Sequence, residues 1–540
     1  MGERLVVTAD RVVPRHGAPP VEALLVEDGV VREVGTREQF QGHESFRYFE
    51  GSVVLPSFID PHQHAYLVTA DPHSDSLLAF DSALADLLAA VRRFIEREPT
   101  GDSWLRYHGY RPLHLDILRS PTAAELDSVC PDRPLHLISR TYHESVVNSA
   151  GLAALGITPA TPDPAGGRIV RDRRGRATGV LLETASFLAE AASRTQMDTS
   201  VWVERVMSYG RLLASMGITR IGDGAVPADA ADTLSAGLDH VGIDLHPLLV
   251  GEQIDQPVLM PGMTAKVLAD GGEYCHLCFT GRQMGRVMRN GVRAGLGPDR
   301  ALATAVGRRT GRPRRGARGT WHTGIRITND SGLDALMGKA SEIGAGLAVH
   351  AIGNGAVQSV LDAIDAIPGA AADVPLRVEH AMVLDPDLSG RLADSGAHIV
   401  VQPGLLHEFG VELTRSPVPD PLRLIPLRTL TDAGASIALS SDFPATDLNP
   451  WRAITDAVLR LDSRGDPVHP EETLTLEEAL TAHTTGAAAA LGVPGGSLEP
   501  GSPADFIVVD KDPYALAPQD LMSITTLATF RAGAQTYSHT

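Results

Sequence analysis

The sequence predicts an α/β fold: a closed (β/α)8 barrel, with a small β-domain assembled from both ends of the chain. Three observations point there. Eight short apolar runs, most followed by a long Ala- and Leu-rich stretch of helical periodicity, make a parallel α/β array. Both termini share a different texture, Val- and Leu-rich runs broken by turn residues. The 540 residues exceed the roughly 250 of an undecorated barrel, so large insertions must sit between strands.

At the N-terminus LVVTADRVV, ALLVEDGVVREVG and SVVLP read as strands, with Asp28-Gly29 as a hairpin turn. The C-terminus continues that pattern in Gly495-Gly496-Ser497-Leu498, ADFIVVD and TTLATFRAGAQTY. Neither end suffices for a sheet domain alone, so residues 1–56 and 486–540 are expected to pair into one β-sandwich around a barrel spanning 57–485. The expected barrel strands are FIDPHQH (58–64), LHLISR (135–140), ITRIGDG (218–224), AKVLADG (265–271), GLAVHAIG (346–353), LRVEHA (376–381), HIVVQP (398–403) and SIALSSD (436–442). Eight units favour closure into a TIM-like barrel over an open sheet.

Composition narrows the function. With 43% hydrophobic and 21% charged residues the chain is ordinary globular protein, and its net charge of −19 argues against nucleic acid or anionic membrane as partner. The start lacks the basic and apolar regions of a signal peptide, and no run approaches about 18 apolar residues, so a cytoplasmic enzyme acting on a small molecule is expected. A homodimer is the base-rate oligomer. The three cysteines, Cys130, Cys275 and Cys278, offer no disulfide framework, and Cys275-x-x-Cys278 lacks the further ligands of a structural zinc site. Residues 281–320 hold eleven arginines against one acid, Asp299. That segment reads as a solvated basic loop docked on acidic surface, with a basic lid as the alternative.

The chemistry gathers at strand ends. In FIDPHQH, His62 and His64 are two residues apart, so in a strand both imidazoles face one side and can share a metal ion. His350 closes GLAVH, His380 closes LRVEH and Asp442 closes SIALSSD. Ligand types at the C-terminal ends of several parallel strands are the layout of a barrel active site, and imidazole with carboxylate suits Zn²⁺ or another divalent first-row ion.

These motifs, in this order, resemble the amidohydrolase superfamily, in the branch of amidohydrolase 3 or YtcJ-like metal-dependent hydrolases. The likeness runs from EALLVEDGVVREVG through LPSFIDPHQH, HESVVN, ATGVLLE, AKVLADG, VHAIGNGAV, RVEHA, VVQP and SSDFPATDLNPW to GSLEPGSPADFIVVD. It implies that His62 and His64 bind the more buried of one or two metal ions, that His350 and His380 bind a second, and that Asp442 is both ligand and proton shuttle. Lys266 falls where related enzymes carry a lysine carboxylated by CO₂, with an ordinary salt-bridged lysine as the alternative. His143 is implied as a catalytic group facing the substrate oxyanion. Glu183 and Asn354 are placed beside the substrate or behind the ligands, with Glu183 the alternative bridge to Lys266. Two positions depart from the pattern: Ser57 stands where glycine is usual, and Asn354 where aspartate is common. Arg377 and Glu379 are read as barrel packing and ion pairing.

The implied reaction is hydrolysis of a C–N bond, amide or N-formyl, by metal-activated water. A cyclic-amide hydrolase is one enzymatic alternative, and a deaminase of the same superfamily is the other. Its usual H-x-x-E is missing, because His350 is followed by Ala351, Ile352 and Gly353. A non-catalytic binding protein on this scaffold is the other alternative.

Overall fold

The computed structural model describes residues 4–42, 45–73, 83–98, 101–194, 197–297, 300–309, 311–316, 319–367, 375–415 and 418–539. Eight parallel strands form the central sheet: β1 Phe58–Gln63, β2 Ile218–Pro227, β3 Asp244–Val250, β4 Thr264–Leu268, β5 Gly346–Ala351, β6 Leu376–His380, β7 His398–Val401 and β8 Ser436–Leu439. Each pairs with the next. The sheet closes at its C-terminal rim, where Asp442 N donates to His62 O at 2.8 Å and His64 N to Phe443 O at 2.9 Å.

Alternation along the strands sorts their side chains. On β4 and β5, Ala265, Val267, Leu347 and Val349 join the large apolar core shared with the surrounding helices, while Lys266 and His350 face the barrel interior and its mouth. The core is continuous through the helices, for example Leu333, Met337 and Ala340 of Asp330–Ile343.

One expected barrel strand is corrected. LHLIS (135–139) lies outside the barrel, in a five-stranded sheet inserted between β1 and β2, where it forms an antiparallel hairpin with Glu144–Val147. Two β-rich runs only four residues apart suit a hairpin, whereas a parallel crossover needs a dozen residues or more. The true third barrel strand is DLHPLLV (244–250), masked in the sequence by Pro247. That proline sits just before a register shift against β2, where the ladder is already broken. Because one strand was gained and one lost, Lys266 still falls on the fourth.

The chain ends meet in one seven-stranded sheet rather than in two facing sheets. Strand Phe506–Val509 pairs with Phe46–Pro56, which itself runs into β1. The sheet curls so that Val31 exchanges backbone hydrogen bonds with Gly501 and Ser502, enclosing Val7, Val26, Val54, Phe506 and Phe530. Asp28 and Gly29 adopt φ of 52° and 75°, the positive pair that a type I′ hairpin turn requires.

The Arg-rich segment is not the expected loop. It folds into two helices, α1 Gly281–Gly295 and α2 Arg300–Arg309. Thr280 starts α1 with a capping box: its hydroxyl accepts from Gln283 N at 3.2 Å, and the Gln283 side chain accepts from Thr280 N at 2.8 Å. Among the described residues no helix is long and apolar enough to cross a membrane.

Candidate functional site

A cavity of about 280 Å³ opens at the C-terminal mouth of the barrel. Its floor carries His62, His64, Lys266, His350, His380 and Asp442, all residues singled out in the sequence. The inserted sheet adds Tyr142 and His143 to one wall, and the Arg-rich helices roof it with Met284, Val287 and Val306. Most of the lining is apolar, including Phe187, Leu268, Phe279, Met382 and Phe409.

The floor histidines are fixed from behind. His62 Nδ1 bonds the Glu379 carboxylate, which Arg377 in turn grips at 2.8 and 3.1 Å. His380 Nδ1 lies 2.7 Å from Gln402 Oε1, whose own amide donates to Val400 O and Ser440 Oγ. Those acceptors place the ring proton on Nδ1 and leave each Nε2 with a lone pair toward the cavity. His350 Nε2 is buried with no hydrogen-bond partner, 3.8 Å from Asp270 Oδ1. The rings crowd together: His350 and His380 centroids are 4.5 Å apart, His62 and His380 5.1 Å. Asp442 Oδ1 lies 3.1 Å from His64 Nε2 and 3.6 Å from His62 Nε2.

Burial sets the charge states. It pushes His62 down to about 3 and His380 to about 4, and holds His350 well below the ordinary imidazole value, so all three are neutral near pH 7. Burial pushes the Asp442 carboxyl up, but the hydrogen bond from His64 and the neighbouring imidazoles outweigh it and keep Asp442 ionised. Lys266 is drawn down to about 8, again mainly by burial. Its Nζ sits 3.3 Å from His62 Nε2. Neutral imidazole nitrogens, one of them unpartnered, beside an ionised carboxylate are a donor set suited to a divalent cation. His62, His64 and Asp442 alone bring three ligand atoms within 4.8 Å of one another.

His143 is prepared differently. Its Nδ1 lies 2.6 Å from the buried Glu183 carboxylate. Burial lowers its pKa, but the Glu183 charge and hydrogen bond more than reverse that, and His143 titrates above its ordinary value. Glu183 thus stands behind His143 rather than among the floor histidines.

The backbone is bent to bring these groups in. Tyr142, Glu183, His380 and Asp442 have φ of 63°, 53°, 74° and 52°, conformations that cost non-glycine residues energy and that cluster here. At His380 the twist has a visible result, since strict alternation would send Glu379 and His380 to opposite faces. Glycine makes the room. A Cβ at Gly224 would lie 2.6 Å from the His64 ring and 2.7 Å from His62 Nε2.

Asn354 does not line the cavity, so it is not beside the substrate; its amide pairs with the backbone of Cys278 at 2.9 and 2.7 Å, tying Leu277–Phe279, which does reach the lining, to the helix that begins at Asn354. Ser57, at the glycine position, is buried and bonds Thr219 at 2.7 Å. Cys275 and Cys278 are free thiols. Sequence reasoning missed Gln402 and Asp270, and took Glu379 only as an ion-pair partner. Gln402 in VVQP and Asp270 in AKVLAD stand at the ends of barrel strands, and that position was the available signal. Asp270 accepts from the backbone of Ile352, Gly353 and His276 at 2.8–3.0 Å, and burial pushes its carboxyl up to about 7.

Comparison with known proteins places this geometry. A profile described as "Amidohydrolase family" matches residues 49–537. An N-substituted formamide deformylase of Arthrobacter pascens is 31% identical over 96% of this chain and 95% of its own length. A putative amidohydrolase YtcJ of Bacillus subtilis (strain 168) is 29% identical over 93% of each chain. The crystal structure of an uncharacterized metal-dependent hydrolase from Pyrococcus horikoshii OT3 superposes with a TM-score of 0.65, at 18% identity over 96% of this chain and 99% of that one.

Proposed function

We propose, from the premise that this chain belongs to the amidohydrolase family, that it removes an N-formyl or related N-acyl group from a small apolar molecule with a divalent metal as cofactor. At the coarser level it is a hydrolase acting on C–N bonds. The finer reading is carried by one observation: neutral histidines and an ionised Asp442 surround the floor of a cavity whose walls are mostly apolar. The deformylase relative supports N-formyl groups as the class to test first.

His62, His64, His350, His380 and Asp442 would hold the metal, with zinc favoured by the imidazole and carboxylate donors. When bound, the metal supplies Lewis acidity and brings the pKa of water toward neutrality. Asp442 accepts the proton of the attacking water at a carboxylate oxygen and returns it to the leaving amine. His143, held by Glu183, donates from its other ring nitrogen to the oxygen that becomes negative in the tetrahedral intermediate. The apolar walls exclude competing water and seat the substituent on nitrogen. Lys266 has two available states. As the amine its Nζ lone pair can attack CO₂, forming an N–C bond and releasing one proton, and the resulting carbamate could bridge two cations. As the ammonium it repels them. The sheet joining the two chain ends (1–56 and 486–540) is proposed as a separate unit beside the barrel of 57–485.

The test is metal analysis with a substrate screen of N-formyl, N-acyl, carbamate and cyclic amide compounds. Hydrolysis of an N-formyl or N-acyl compound, lost to a chelator and restored by Zn²⁺ or Mn²⁺, is expected. A protein that takes up no divalent metal, or that cleaves only the cyclic or carbamate compounds, overturns the reading.

A further inference from the structure

A second concavity, a groove of about 900 Å³, lies on the far side of Arg309 from the catalytic cavity. One wall is the end of α2 with Gly311, Arg312 and Arg314 beyond it, and the other includes strand Gly167–Arg171 of the inserted sheet. Its charge runs against the rest of the molecule. The chain has 66 acidic residues against 47 basic ones, yet Arg168, Arg308, Arg312, Arg314 and Arg326 all line this groove.

Compensation is scarce there. Among the described residues the one lining carboxylate, Asp163, pairs with Arg171 at 2.7 Å. Arg326 pairs with Asp330, and Arg314 donates to Gly324 O at 3.0 Å. Among the described residues Arg168, Arg308 and Arg312 have no carboxylate partner, and Arg168 Nε is buried with no hydrogen-bond acceptor. Arg309, on the shared wall, is already committed to Glu144 at 2.6 Å and to Glu273. Guanidinium groups that converge without anions repel one another, and a concave surface focuses their field. Five of the lining residues are glycine, which lets a ligand approach the backbone closely.

We propose that this groove binds a small oxyanion carrying two or more charges, held between Arg168 of the inserted sheet on one side and Arg308, at the end of α2, with Arg312 beyond it on the other. Guanidinium forks match phosphate and carboxylate oxygens two at a time, so the shared chemistry is a compact polyvalent oxyanion. A ligand spanning the two walls would tie the roof helix to the sheet.

Titration calorimetry of the full chain at matched ionic strength tests this, with pyrophosphate and citrate as separate probes. One saturable site per chain for either probe is expected, and the stronger of the two identifies phosphate or carboxylate as the source. The exposed arginines Arg308→Gln and Arg312→Gln, which leave the fold's ion pairs intact, should each weaken binding by about tenfold. Arg289→Gln, on α1 outside the groove, should change nothing. Hydrogen exchange across 300–309 should slow when the probe is bound. These readouts need no turnover, so they fail or succeed independently of the proposed hydrolysis. Absence of saturable binding, equal loss in Arg289→Gln, or binding of long polyanions alone would overturn the site.

Discussion

His62, His350 and His380 come from the barrel, and His143 comes from the inserted sheet, yet all four rings line one cavity. Burial drives the three barrel histidines below the ordinary imidazole range, with no opposing partner strong enough to reverse it. His143, which is less fully enclosed, moves the other way, because the Glu183 carboxylate lies 2.6 Å from its Nδ1. His62 also bonds a carboxylate, Glu379, but there Arg377 and Lys266 offset the negative charge. The lesson is that burial alone prepares a histidine to give a lone pair, while an unshared buried carboxylate prepares it to give a proton. The barrel floor is built for a cation and the inserted wall for a developing anion.

The strongest attempt to break this division is Lys266→Ala. It removes the one cationic group among the floor ligands, and if that lysine is the bridging carbamate, most activity and part of the metal content should disappear. Normal activity with two metals per chain, measured by elemental analysis, would shift the bridge to an anion other than Lys266. Next, His143→Gln should lower kcat by about 10²- to 10³-fold while metal content stays unchanged, as expected of an oxyanion donor. Loss of metal in that variant would place His143 with the barrel set.

A smaller effect sharpens the floor. Glu379→Gln keeps the side-chain shape but weakens the hold on His62, so metal affinity should fall by about 10- to 100-fold in a competitive chelator titration. Glu183→Gln removes the charge that raises His143. The alkaline limb of the kcat profile should therefore move to lower pH, since the protonated form is lost sooner. A profile that does not move would remove Glu183 from that role.

The smallest effect reads on stability. Folded-state pKa values below the unfolded value mean that the unfolded chain binds more protons, so stability is lost as pH falls from 6.5 toward the folded values. His16 and His483, both buried and both pushed down to about 4, lie outside the cavity lining and isolate this term. Each contributes a slope of about 1.4 kcal/mol per pH unit in that window. In denaturant melts of the metal-free chain, His483→Asn should flatten the acid slope by one proton. His143 has the opposite sign: its contribution is present below 6.5 and is lost as pH rises through its raised folded value.

Much of this was legible in residue order. Period-2 alternation bounded by turn residues marks a strand wherever it ends up, so seven of the eight barrel strands and the Asp28-Gly29 turn could be read directly. Ligand-type residues stand at strand ends in plain sight, as with His350 after GLAV and His380 after LRVE. What a run pairs with is not local information. LHLIS and DLHPLLV are equally strand-like, and only the short return to ESVV against the long passage to β4 separates a hairpin from a barrel strand.

The sequence by itself determined which side chains are present, their spacing of two along β1, and the alternation that points Lys266 and His350 toward the barrel interior. Tertiary structure alone decided their states. Glu379 is 317 residues from His62, Gln402 is 22 from His380, and Glu183 is 40 from His143, so no local rule reveals that these pairs touch. It also turned the Arg-rich segment into a roof, because the apolar edges Met284, Val287 and Val306 found a cavity to cover. The physical reason is the same in each case. Strand and helix formation follow near-neighbour sterics, whereas desolvation and charge pairing depend on distances in space that exist only once the chain has closed around the site.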